Sequence, residues 1–151
     1  MILLIPSEMP ATRSIGKGKH VLVESWRFVI IVEKIDGKRD VHECIVPKGF
    51  VTDFYSVPWP LTLFIPRDEQ DNRPSIMHDW LFATCGLRET ADSPSALSRG
   101  ECNDVLAQAC NLCSLPRLRQ WSIPTGVRLG SWVVWNRLVQ AGHSIANPKL
   151  D

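Results

Sequence analysis

Residues 21–33 read Val-Leu-Val-Glu-Ser-Trp-Arg-Phe-Val-Ile-Ile-Val-Glu, and an Asp36-Gly37 pair follows them. Branched and aromatic side chains at this density suit a pleated, half-buried surface better than a helix. Asp-Gly is a pair that tight hairpin turns prefer, because those turns need positive φ. Residues 41–46 then return as the partner strand. A chain with this hairpin is committed to an antiparallel sheet in its first third. Ahead of it, Pro6, Pro10, Gly16 and Gly18 make residues 1–20 an extended lead-in with no long regular element. Behind it, Pro47 and Gly49 introduce a short strand over 50–52. That strand runs into a rigid loop carrying Asp53 and Ser56, where Pro58 and Pro60 exclude a helix or a central strand.

The period then changes. Pro74 suits a first helical turn, and Ile76, Met77, Trp80, Leu81 and Ala83 recur at helical spacing up to a C-cap at Gly86. Two adjacent polar residues, His78 and Asp79, interrupt this apolar helix and point about 100° apart. Ser98-Arg-Gly-Glu101 matches a capping box, which accounts for Glu101. It opens a helix over 99–113 that buries Val105, Leu106, Ala109 and Leu112. Pro116 and Pro124 bracket a short piece holding Trp121. A last helix spans 125–141, where Gly126 and Gly130 leave room for another helix to approach. The expectation is one α+β domain over 1–151, an N-terminal antiparallel hairpin and sheet followed by about three packed helices. Residues 21–60 form the sheet and motif loop, 74–141 the helical part and 143–151 a frayed tail.

Composition excludes several classes. A chain of 151 residues can enclose one real core. Seventeen basic against sixteen acidic residues leave a net charge of +1, so nucleic acid is not an expected partner. No stretch approaches the ~20 apolar residues of a transmembrane segment. The apolar start Met-Ile-Leu-Leu-Ile-Pro lacks a basic region, so the expectation is a product that stays in the cytoplasm where it is made. Five cysteines, an odd count, argue against a disulfide framework. Cys110 and Cys113 read as small core residues near a helix end.

Helices 74–86 and 98–113, if antiparallel, place His78 about 12 Å from one helix end and Asp104 about 9 Å from the facing start. The two are then nearly level. A carboxylate that fixes an imidazole's tautomer and stabilises its protonated form makes the histidine a general base. His78 is thus the candidate base and Asp104 its orienter. Asp53 and Asp79 are candidate ligands for a divalent cation, calcium or magnesium. Direct coordination of a transition metal by His78, helped by His20 or His42, is a second arrangement. Ser56 lacks the elbow sequence of a nucleophilic serine. The plain alternative is structural: His78 bonded to a carbonyl, Asp79 to an arginine, and Asp53 and Ser56 to their own turn.

The segments Gly49-Phe-Val-Thr-Asp53-Phe-Tyr-Ser56-Val-Pro58 and His78-Asp-Trp-Leu81, followed by a helix with Asp104, resemble a small single-domain family of unknown function found in bacteriophages and prophages. The resemblance covers roughly residues 40–137 and implies a phage-associated protein without implying a reaction. At the site alone, the His-Asp pair on one helix and an Asp on its neighbour resemble secreted and parvoviral phospholipases. There the roles that map onto His78, Asp79 and Asp104 are base, calcium ligand and orienter. The Gly-rich calcium loop and flanking cysteine pattern of those enzymes are missing here.

Three functions follow as expectations. The first is a phage-encoded hydrolase acting on an envelope component, phospholipid or peptidoglycan. The second is a non-catalytic virion component of the tail or tail tip. The third is a factor that blocks a host defence. The expected partners are other virion proteins or a host envelope component, and the expected location is the host cytoplasm, with the virion as a further destination.

Overall fold

The structure, a computed structural model, describes residues 1–16, 18–33, 36–53, 71–89, 92, 96–146 and 148. Ser56 and the proline pair at 58 and 60 lie outside the described residues. Among the described residues, six strands precede three helices: β1 (Ile2–Leu4), β2 (Thr12–Gly16), β3 (Lys19–Leu22), β4 (Trp26–Glu33), β5 (Arg39–Val46), β6 (Val51–Thr52), α1 (Arg73–Ala83), α2 (Arg99–Leu112) and α3 (Arg117–Gln140). This is the α+β arrangement that the sequence leads one to expect.

The strands form two antiparallel sheets, ordered β1-β4-β5 and β2-β3-β6. The hairpin β4–β5 is paired from Trp26↔Val46 to Glu33↔Arg39. Its connection is longer than a two-residue turn. Gly37 takes positive φ, and the Asp36 carboxylate accepts the Lys38 amide at 3.1 Å. Alternation sends Phe28, Ile30, Cys44 and Val46 into the core, while Arg27 and Glu43 pair on the outer face.

The single strand expected over 21–33 is two strands in different sheets. The Leu22 amide bonds to the Phe50 carbonyl and the Val23 amide to the Ala11 carbonyl. The chain then bends through the polar Glu24-Ser25 pair before β4 begins. The lead-in is also more regular than expected, since β1 lies beside β4 and β2 beside β3. At Gly49, φ is +89° and the amide reaches back to the Leu22 carbonyl, which folds β6 against β3.

Helix α1 is buried almost all round. From Pro74 to Ala83 only Asp79 keeps appreciable exposure. A helix apolar on every side belongs inside a core, and α1 packs against α2, α3 and β6. Its end is set by Cys85 rather than by the expected Gly86. The Cys85 amide bonds to Phe82 and the Gly86 amide to Leu81, with Cys85 itself left-handed at φ 48°. Gly86 is needed one position later. A Cβ there would stand 2.1 Å from the Leu97 carbonyl oxygen. Helix α2 begins with the expected capping box, the Glu101 carboxylate accepting the Ser98 amide at 2.8 Å.

Helix α3 runs unbroken through Pro124, where the sequence suggests a boundary. The ring removes one main-chain bond, to the Gln120 carbonyl. Ile123, Pro124 and Gly126 are buried, and the Thr125 hydroxyl donates to the Trp121 carbonyl at 2.7 Å. Burial on both sides of the proline outweighs the one bond lost. No disulfide forms. All five cysteines are free, and burial pushes the Cys44 and Cys110 thiols up to about 12, leaving them inert at neutral pH.

Candidate functional site

Between β6, α1 and the inner face of α3 lies a cleft of about 350 Å³, at the lower end of the range for small-molecule sites. Its apolar wall includes Phe50, Phe82, Leu106, Val127 and Leu138. Its polar side carries Lys19, Thr52, Asp53, Ser75, His78 and Asp79. Gly126 and Gly130 also line it, and their missing side chains leave room there.

His78 is 9% exposed. Its ring lies against Phe82 at 4.2 Å between centroids, one helical turn on, and Phe82 meets Trp135 edge-on at 5.1 Å. The imidazole Nε2 donates to Asn103 Oδ1 at 3.1 Å. Asn103 Nδ2 donates in turn to Ser131 Oγ at 3.1 Å, and Arg99 donates to the same oxygen at 2.9 Å. This chain of bonds joins α1, α2 and α3 through buried polar groups. With its proton on Nε2, the ring keeps its lone pair on Nδ1. Burial disfavours the charged ring and lowers the His78 pKa to about 4, an effect the Asn103 bond opposes in part. His78 is therefore neutral at physiological pH.

The expected orienter is elsewhere. Asp104 pairs with Arg128 on an exposed surface and borders a separate hollow with Glu33 and Gln108. The expected level on the helix is right, because the Gly86–Leu97 and His78–Asn103 bonds fix α1 and α2 as antiparallel. The direction is one residue out. A step of about 100° turns Asp104 from the core and Asn103 into it.

Asp53 and Asp79 do line the cleft with His78. The Thr52 hydroxyl donates to Asp79 Oδ2 and so steadies the carboxylate beside β6. Among the described residues, no group of three or more His, Cys, Asp or Glu is placed to hold a metal ion. His20 lies on β3 opposite Thr52, while His42 lies on β5 opposite Ile30.

Sequence reasoning missed Asn103, Ser131 and Thr52. Asn103 could have been found as an uncharged amide on the stripe shared with Cys102, Leu106 and Cys110, where an unpaired polar group would be costly.

Residues 31–127 match the model of a family described as protein of unknown function (DUF1353), and the chain belongs to that family. No curated protein and no solved structure matches it.

Proposed function

We propose, for this member of a family with no assigned reaction, a phage-encoded hydrolase that acts on a cell-envelope component. What carries the reading is a neutral imidazole on a cleft wall, held through one nitrogen by a buried amide, with two carboxylates on the same cleft. Water is the nucleophile. His78 Nδ1 accepts its proton as the oxygen attacks a carbonyl or phosphoryl centre, and the imidazolium returns that proton to the departing alcohol or amine as its bond to the centre breaks. Asn103 fixes which nitrogen carries the lone pair, as an amide does for the histidine of Cys-His-Asn hydrolases. An amide does not stabilise the imidazolium as a carboxylate would, so the base is a weak one. Asp53 and Asp79 would offer calcium or magnesium two carboxylates.

The test is turnover of phospholipid and of peptidoglycan by the purified chain, with and without each cation. His78→Gln is expected to abolish turnover while the melting temperature stays within a few degrees. No turnover by the native chain on either substrate ends the proposal. A second reading, a non-catalytic virion component, draws support from the outer face of the sheet β1-β4-β5, where Ile2, Leu4, Val41 and Ile45 are exposed. Mass spectrometry of purified particles tests it. Many copies per particle support it, and absence removes it.

A further inference from the structure

Helix α3 is apolar on two opposite faces. The inner face supplies Ile123, Gly126 and Leu138 to the interior. The outer face presents Leu118, Trp121, Leu129 and Trp132, exposed at 62, 68, 71 and 56%. At ~100° per residue these four fall within an arc of roughly 80°. Exposure so large is unusual for tryptophan and leucine. Four of them on one stripe form a patch of the kind that marks a contact surface.

The charges beside the stripe indicate what it contacts. The 24 residues of α3 include Arg117, Arg119, Arg128 and Arg137 and no aspartate or glutamate, in a chain whose net charge is only +1. Arg117 and Arg128 border the stripe on one side, and Arg119 and Arg137 stand on the other. Arg128 is paired with Asp104 of α2. A second copy of the chain, docking by the same face, would set arginine rows against arginine rows with no acid on either helix. A convex helix surface also offers no groove for a nucleic-acid strand. Tryptophan and leucine flanked by arginine suit an interface of acyl chains below anionic head groups, where the rings sit at the boundary and guanidinium groups meet phosphate.

We propose that α3 is an interfacial helix that seats the protein on an anionic lipid surface, lying flat with Leu118, Trp121, Leu129 and Trp132 in the head-group boundary. The proposal does not depend on the hydrolase reading, because adsorption and turnover are read separately. The experiment is cosedimentation of the full chain with vesicles of phosphatidylglycerol or of phosphatidylcholine, in low and high salt. Expected is partition into phosphatidylglycerol vesicles that falls at least tenfold in Trp121→Ser/Trp132→Ser. It should fall several-fold in Arg117→Gln/Arg137→Gln and weaken as salt screens the charges. All four residues are exposed, and circular dichroism checks the fold. Quenching of native tryptophan emission by brominated lipid gives the same reading with no variant. The proposal is overturned by absence of cosedimentation and quenching, or by equal partition of native chain and both variants. It is also overturned by a dimer that Trp121→Ser/Trp132→Ser converts to monomer with no vesicle binding, since the stripe would then join two proteins.

Discussion

His78 and Asn103 stand on different helices and share one buried hydrogen bond of 3.1 Å, with the amide oxygen accepting from Nε2. Both residues are almost wholly enclosed. The bond decides the tautomer of the ring, and the lack of a negative charge at that point leaves burial as the larger influence on its basicity.

Replacing the amide with a carboxylate of the same shape isolates that influence. Asn103→Asp puts an anion where Oδ1 now accepts, which favours the imidazolium. The His78 pKa is expected to rise by roughly 1–3 units from its low value. Titration of the His78 ring by NMR reads it. An unchanged pKa would mean that the two groups are not in contact. Asn103→Leu leaves the Nε2 hydrogen without an acceptor and is expected to cost about 1–3 kcal/mol of stability in urea unfolding.

Acid should weaken the fold through the same histidine. His78 titrates at 6.5 when unfolded and at about 4 when folded. Between those values the unfolded chain binds the extra proton, so stability falls as pH drops through that window and is fully present above it. The span is worth up to ~3 kcal/mol. Urea midpoints from pH 4 to 7.5, compared between the native chain and His78→Gln, separate this contribution from other groups. Relative to His78→Gln, the native chain should lose stability as pH falls toward 4.

Gly86→Ala is expected to be among the most damaging single changes. A methyl group there meets the Leu97 carbonyl oxygen at 2.1 Å, and the backbone holds φ +71°. Main-chain atoms cannot swing aside as a flexible side chain can. The cost should reach at least ~2 kcal/mol, seen as a lower urea midpoint with an unchanged slope. Gly16→Ala makes a useful comparison, because it is also left-handed but meets nothing within 4 Å.

The large features of this fold were legible from residue types. Alternation from Trp26 to Val46 marks the hairpin, Pro74 marks the start of α1, and Ser98 with Glu101 marks that of α2. What escaped was decided by contacts distant in sequence. The division of residues 21–33 between two sheets follows from bonds that Leu22 and Val23 make to Phe50 and Ala11. The passage of α3 through Pro124 follows from burial on either side of the ring. At the cleft, the sequence points to His78, Asp53 and Asp79, which do share it. It misdirects at Asp104, because reasoning from charge favours a carboxylate over its uncharged neighbour Asn103, and only the rotation of α2 distinguishes them.

The enclosure of α1 also bears on how the molecule breathes. Apart from the flank that His78 and Asp79 turn to the cleft, its peptide hydrogens are shut off from solvent, and neighbouring elements would have to part before deuterium reached them. Exchange at Met77, His78 and Trp80 should therefore track global unfolding. The imidazole is consequently secured by the cooperativity of the entire domain, and ligands must come to it through an opening already formed.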